Sequence, residues 1–190
     1  MLDVRFLYKP FIYLDKYSLY AALCRRIPNY KDDITIKFAY RKYDNQHGEL
    51  IFRCPKDKST EIISLMRNGT LEINRQIINI GEARICPIIP RGILQSAQVI
   101  IKSSKGSPFG RRDAEFIESL QKQLEELQIS RFPRIGEKKM FGIKGQLLHG
   151  YPVRFEDLKE DESIRLQYFG VGGKQKMGCG VMLDVKNLHD

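Results

Sequence analysis

ITIKFAYRKYDNQHGELIFR, residues 34–53, holds two apolar-rich runs, Ile34 to Tyr40 and Leu50 to Arg53, separated by the polar connection Asn45-Gln46-His47-Gly48. Both runs read as strands. On the amino-terminal side, Leu2 to Leu7 alternates apolar and charged residues like a strand with one covered face, and Asp15 stands as a helix cap. Leu19, Leu23 and Ile27 then fall at helical spacing and Pro28 ends the run. On the other side, Asp57 or Ser59 caps a second helix carrying Ile62, Ile63 and Met66, which Asn68-Gly69 terminates through a left-handed residue. Leu71 to Ile80 and Arg84 to Ile89 resume β patterning. The order β-α-β-β-α-β predicts a ferredoxin-like, RRM-like unit over residues 1–90.

Pro87, Pro90, Gly92 and Ser96 punctuate the chain like a short link, after which the same grammar restarts. Ala97 to Ser103 reads as a strand and Lys105-Gly106-Ser107-Pro108 as a loop. Asp113 caps a long helix whose apolar stripe is Phe116, Ile117, Leu120, Leu124 and Leu127. Met140 to Leu148 and Tyr151 to Phe155 read as a hairpin around His149-Gly150, followed by an acidic helix from about Asp157 to Tyr168 and a last strand from Val181 to Val185. The expected fold is α+β, with two tandem ferredoxin-like domains at 1–90 and 97–190. No residue string repeats between the halves, so the duplication rests on element order.

The 190 residues are 42% hydrophobic and 29% charged, an ordinary globular composition. No apolar run approaches the ~18 residues of a membrane span, and Met1 to Arg5 lacks the plan of a secretory signal, so the expected location is cytoplasmic. Cys24, Cys54, Cys86 and Cys179 stand about 30 residues or more apart, spacing that suits buried thiols rather than a metal or disulfide framework. Thirty-two Lys and Arg against 23 Asp and Glu leave a formal charge of +9, which makes a polyanion the default partner. Nine Tyr and ten Phe supply rings that could stack on bases, although most should fill the core.

One segment concentrates flexibility and charge. YFGVGGKQKMGCGVML, residues 168–183, carries glycines at 170, 172, 173, 178 and 180 with Lys174 and Lys176 among them. Such backbone can turn several N–H groups toward one phosphate, with the lysines adding charge. The competing reading is a long connection whose glycines only serve turns. No Gly-Lys pair is followed by Ser or Thr, so a P-loop is excluded.

Glu162 to Gln167 running into Gly170 to Val181 resembles the carboxy-terminal signature of the CRISPR-associated repeat-processing endoribonucleases of the RAMP superfamily, closest to the short branch named after the myxobacterial type I systems. Asp3-Val4-Arg5-Phe6, then Tyr17 to Leu23 and Ile27-Pro28, resemble the first strand and helix of that branch. The resemblance implies two ferredoxin-like domains acting in RNA-guided antiviral defence, with no cofactor and no metal. It implies CRISPR repeat RNA hairpins as the partner, alongside other CRISPR effector subunits, with Gly172, Gly173, Lys174, Gln175 and Lys176 among the RNA contacts. The implied product is guide RNA cut from its precursor by attack of a 2′-OH on the adjacent phosphate, leaving a 2′,3′-cyclic phosphate.

That chemistry asks for a base, an acid and a cation, and histidine suits the first two. Members of the branch that this chain resembles often place a histidine directly before the Tyr-x-Leu-Tyr stretch, where this chain has Asp15-Lys16. The remaining histidines are His47, His149 and His189. His189 is next to last and His149 reads as a turn residue, which leaves His47 as the expected acid-base group and Tyr17 as a polar partner. Glu156, Asp157, Glu160, Asp161 and Glu162 are clustered, but a helix start explains them better than a two-metal site. Arg25, Arg26, Lys31, Lys37, Arg41, Lys42, Arg111 and Arg112 could form an RNA track. Met140 to Gly145 lacks the Gly-aromatic-Gly-aromatic order of RRM sheets, so grip on a hairpin backbone is expected in place of stacking. The alternative function is a non-cleaving repeat-binding subunit, while a small-molecule-sensing module would leave the charge unexplained.

Overall fold

The computed structural model describes residues 1–101, 112–143 and 146–185. Arg111, His189, the loop from Lys105 to Pro108 and the end of the strand read at Ala97 to Ser103 lie outside the described residues. The chain divides into two compact units, Met1–Ile88 with Lys176–Gly178, and Ile89–Gln175 with Cys179–Asp190.

In the first unit, β1 (Leu2–Lys9), β2 (Lys37–Lys42), β3 (Gly48–Cys54), β4 (Thr70–Ile73) and β5 (Gln76–Pro87) form one sheet in the order β2-β3-β1-β5-β4. Helices α1 (Lys16–Arg26) and α2 (Lys56–Met66) make the crossovers. Val4, Phe6 and Tyr8 of β1 alternate into the core against Leu19 and Leu23 of α1 and Ile62 and Met66 of α2. Asp3, Arg5, Leu7 and Lys9 consequently point to the opposite face.

Local chemistry accounts for most boundaries. Asp15 caps α1 by accepting from the Ser18 N–H at 2.8 Å, and Asn68 takes the left-handed conformation after α2, φ 51°. Neither Asp57 nor Ser59 caps α2. β3 runs to Cys54, and Pro55 stands at the N-cap with no side-chain cap, while Ser59 Oγ donates to the Lys56 carbonyl inside the helix. β2 begins at Lys37, not Ile34, because Asp33 accepts from the Thr35 N–H at 2.9 Å and holds that stretch in a turn. The run from Leu71 to Ile80 is a hairpin. Asn74 and Arg75 both adopt positive φ, 52° and 65°, in a two-residue turn that no glycine marks.

In the second unit, β6 (Leu94–Val99), β7 (Arg134–Ile135), β8 (Lys139–Ile143), β9 (Gln146–Phe155) and β10 (Leu183–Asp184) combine with α3 (Arg112–Glu126) and α4 (Glu160–Phe169). The sheet order β10-β6-β9-β7, with β8 on β9, repeats the first unit's arrangement. Both units are ferredoxin-like, with helices covering one face of an antiparallel sheet. Phe116, Leu120 and Leu124 enter the core as the stripe demands, whereas Ile117 is 44% exposed.

Three expectations are corrected by the strand pairing and the helix boundaries. His149-Gly150 is not a turn: Met140 pairs with His149 and Lys139 with Gly150 in mid-strand. Gly150 is small because a Cβ would lie 2.7 Å from the Gln98 side chain. Asp113 sits inside the first turn of α3, where it accepts from Tyr151 Oη and Lys138 Nζ. The link ends before Ser96, which already belongs to β6.

Cys54 and Cys179 are buried as expected, while Cys24 and Cys86 are half-buried, and all four are free thiols. Among the described residues no helix is long and apolar enough to cross a membrane.

Candidate functional site

His47 occupies the β2–β3 turn, and Asp44 builds that turn. The Asp44 carboxylate accepts from the Gln46 and His47 N–H groups, each at 2.7 Å, and from His47 Nδ1 at 2.9 Å. The Gln46 amide first, then the His47 amide and ring, overcome the opposing effect of burial and hold the Asp44 carboxyl below the usual carboxylate range. A carboxylate only accepts, so Nδ1 carries the proton and Nε2 is the nitrogen offered outward. Gly48 follows because a Cβ there would lie 2.0 Å from the Tyr8 ring.

The imidazole borders a cavity of about 280 Å³ whose lining includes Arg5, Lys9, Glu82 and Arg84, on the sheet face away from the helices. Arg5 and Arg84 are directly opposite in the β1–β5 register. Like charges so placed repel; on one side the Asp3 carboxylate offsets this by accepting from Arg5 at 3.1 Å. The nearby carboxylates are engaged: Glu49 with Arg41 at 2.8 Å and Glu82 with Arg67 at 2.6 Å.

Tyr17 does not line this cavity. β1 delivers the chain beside the His47 turn, with Tyr8 opposite Gly48, and Phe11 N–H reaches the Gln46 carbonyl at 2.7 Å. α1 then starts at the same end of the sheet but on its helix side. There the Tyr17 ring neighbours Tyr20 with centroids 6.5 Å apart, and the aromatic chain continues through Tyr30 to Phe38. Lys16 Nζ donates to the Gly178 carbonyl at 2.7 Å. Tyr30 Oη donates to the Lys176 carbonyl at 3.2 Å, and Lys176 Nζ to the Lys31 carbonyl at 2.6 Å. The Lys176–Gly178 tip is thus seated in the first unit.

The rest of the glycine segment departs from the anion-cradle expectation. Gly172 N–H donates to Gln123 Oε1 and Gly173 N–H to the Ile100 carbonyl, both at 2.7 Å. Gly180 N–H donates to the Gln98 carbonyl at 2.8 Å. At Gly180, φ 68°, a Cβ would lie 1.8 Å from the Val171 carbonyl oxygen. These glycines allow the loop to pack on itself and on β6, so their amides face protein acceptors. Gln175 braces the loop, its Nε2 donating to the Phe169 carbonyl at 2.8 Å. Exposed Lys174, φ 62°, carries the charge at this end.

The remaining cations do not share one face. Arg25 and Arg26 end α1 and donate to the Glu72 and Leu65 carbonyls at 3.3 and 2.7 Å on the helix side. Lys37 and Arg41 point to the opposite face of β2, where Arg41 is tied to Glu49. Arg112 opens α3. The carboxylates that follow β9 have structural partners: Glu162 accepts from Ser130 N–H and Oγ at 2.6 Å, Asp161 pairs with Arg165 at 2.8 Å, and Glu156 pairs with Arg154 at 2.8 Å. Sequence reading passed over Arg5, Lys9 and Arg84. The alternation of β1 put Arg5 on the polar face, but only strand register brings Arg84 beside it.

Burial first, then the charge of Arg53 opposite, pushes the Lys37 ammonium down to about 8. The unfolded chain keeps that proton to about 10.4. Below pH 8 the folded protein therefore bears the full penalty, and stability rises with pH as the folded state sheds the proton first. Lys37→Met is expected to stabilise the fold by about 1 kcal/mol at pH 7 after allowance for solvent screening, with the gain fading by pH 10. Melting curves at both pH values check this, and equal shifts at the two would place the ammonium in water.

The model of the Cas6 CRISPR family matches residues 11–187. A CRISPR-associated endonuclease Cas6 of Myxococcus xanthus (strain DK1622) is 25% identical over 176 residues, spanning 88% of this chain and 73% of that protein. Among solved structures, a CRISPR associated protein Cas6 superposes with a TM-score of 0.68 at 14% identity, covering 97% of this chain and 99% of the other. A RAMP protein described as binding different RNA substrates superposes with a TM-score of 0.66 at 11% identity, over 98% and 100% of the two chains. At these identities the structural likeness speaks for the fold.

Proposed function

The chain belongs to the Cas6 CRISPR family, and from that premise we propose that it is an endoribonuclease that binds CRISPR repeat hairpins and cuts precursor CRISPR RNA without a metal. The observation that carries the reading is the His47 imidazole, oriented by Asp44 beside Arg5, Lys9 and Arg84. Nε2 takes the proton of the ribose 2′-OH, and the new O2′–P bond forms as the P–O5′ bond breaks. The cations stabilise the charge gathering on the phosphoryl oxygens. Water protonates the departing 5′-oxygen, and the products are a 2′,3′-cyclic phosphate and a 5′-OH. Tyr17, on the helix side, serves α1 packing in this scheme.

The test is incubation with the cognate repeat in EDTA and identification of the new 3′ end. A cyclic phosphate is expected. Absence of product at any enzyme excess would favour the second reading, a non-cleaving repeat-binding subunit of an effector complex. One observation speaks for that alternative: where the resemblance to the repeat-processing branch implies a histidine, Asp15 caps α1 and Lys16 donates to the Gly178 carbonyl.

The loop lysines are expected to differ in their salt signature. Each lysine–phosphate pair removed lowers the slope of log K against log salt by about 0.7 to 0.9. Lys174→Gly should remove one such increment, because glycine adopts the same positive φ without strain. Lys176→Ala should remove less, since its ammonium already rests on the Lys31 carbonyl. Binding titrations across salt concentrations decide it, and an unchanged slope for Lys174→Gly would remove that residue from the interface.

A further inference from the structure

Residues 10–15 join β1 to α1, and the apolar side chains of this connection do not behave alike. Leu14 is buried in the core of the first unit, and its carbonyl accepts from Tyr40 Oη. Phe11 packs partly against the same core, and its N–H donates to the Gln46 carbonyl at 2.7 Å. Tyr13 stands between these two fixed residues and is 89% exposed.

An isolated exposed ring is ordinary, but this one is braced and set among cations. Tyr13 meets Phe11 in a T-shaped contact with centroids 5.3 Å apart, and Phe11 lies 6.5 Å from the ring of Tyr8, which lines the His47 cavity. Two ring contacts therefore connect Tyr13 to that cavity. At 89% exposure the contact with Phe11 leaves at least one face of the Tyr13 ring open to water. Lys42 Nζ stands over the Phe11 ring, 5.6 Å from its centroid, and donates to Asn45 Oδ1 at 2.9 Å. Lys9, the last residue of β1, borders the His47 cavity itself. Both ammonium groups suit a phosphate chain running past the ring.

We propose that Tyr13 is a stacking platform for one unpaired base of the RNA, next to the phosphate held in the His47 cavity. Attack by a 2′-OH requires that oxygen to lie in line with the breaking P–O5′ bond, and a continuously stacked A-form strand does not place it so. One nucleotide must therefore leave the stack, and a fixed aromatic face restores the stacking that its base gives up. Lys9 and Lys42 hold the phosphates on the way. Every base has a π-face, so the ring sets the course of the strand rather than its sequence. The inference rests on the RNA-processing reading for the source of the strand.

A fluorescently labelled oligoadenylate of about 12 nucleotides, a length typical of single-strand sites, is titrated at low salt into the full chain. Phosphate attraction then holds a strand of any sequence. Tyr13→Ala should weaken binding roughly 10-fold, the scale of one base–aromatic stack, and Tyr13→Phe should bind like the parent chain. All three should show the same slope of log K against log salt, because a stack releases no counterions. An abasic ribose-phosphate strand of equal length should bind the parent chain and Tyr13→Ala equally, which also reports that the alanine variant keeps its fold. Unchanged oligoadenylate binding by Tyr13→Ala would overturn the proposal and leave the ring to a protein partner. A loss shared by the abasic strand, or no binding of oligoadenylate by the parent chain, would overturn it too. Repeat cleavage measured on the same preparations separates the failures. Cleavage with oligoadenylate binding indifferent to Tyr13 sinks the platform alone, and Tyr13-dependent binding without recognition of the repeat sinks the processing reading alone.

Discussion

Replacing His47 by alanine is expected to slow cleavage of the cognate repeat by ~10²-fold or more while sparing affinity, because a positioned acid-base group contributes to the transition state rather than to binding. Asp44 binds Nδ1 and two backbone amides of the turn, so the ring's tautomer and direction are set before RNA arrives. The cations that border the same cavity would keep RNA bound when the imidazole is gone. Single-turnover rates and filter binding on the same variant separate the two effects. An unchanged rate removes His47 from the mechanism, and an effect confined to affinity makes it an RNA-binding residue only.

Asp3→Ala should destabilise the first unit by about 3–5 kcal/mol, the usual effect of stranding one member of a buried ion pair. Arg53 is 1% exposed, and its Nε and Nη2 reach the two Asp3 oxygens at 2.8 and 3.1 Å. Arg5 adds a third donor at 3.1 Å. Without the carboxylate, two guanidinium groups would face each other with little water to screen them. Asp3→Leu combined with Arg53→Met should recover most of the loss, since a buried pair contributes little more than apolar groups of similar volume. Urea unfolding of the single and double variants reads both, and a single-variant loss below about 1 kcal/mol would mean that water reaches Arg53. The pair lies on the sheet face that carries the His47 cavity, and Arg5 touches both. Its removal should therefore also disturb cleavage in whatever fraction of the protein remains folded.

Signals confined to a few neighbouring residues were legible in the sequence. Asp15 capping α1, Asn68 ending α2, the apolar alternation of β1 and the Phe116-Leu120-Leu124 stripe each follow from interactions within about one turn or one pleat. Together they determined the order of elements and hence the ferredoxin-like units. His47 in a polar turn was legible too. One local feature escaped as well, the Asn74-Arg75 turn, which has no glycine to announce it; the rest of what was not legible depends on partners distant in the chain. His149-Gly150 looked like a turn because glycine's need there is set by Gln98 across the sheet. The glycine segment has the composition of an amide cradle, but Gln98, Ile100 and Gln123, all distant in the chain, accept those protons. Arg5 became part of a cationic cleft only when register set Arg84 opposite it, and Tyr17 was separated from His47 only by the sheet lying between their two faces. Composition and periodicity determine which residues seek burial and which local hydrogen bonds close. Which charges meet depends on strand register and packing, and these are decided by the whole core at once.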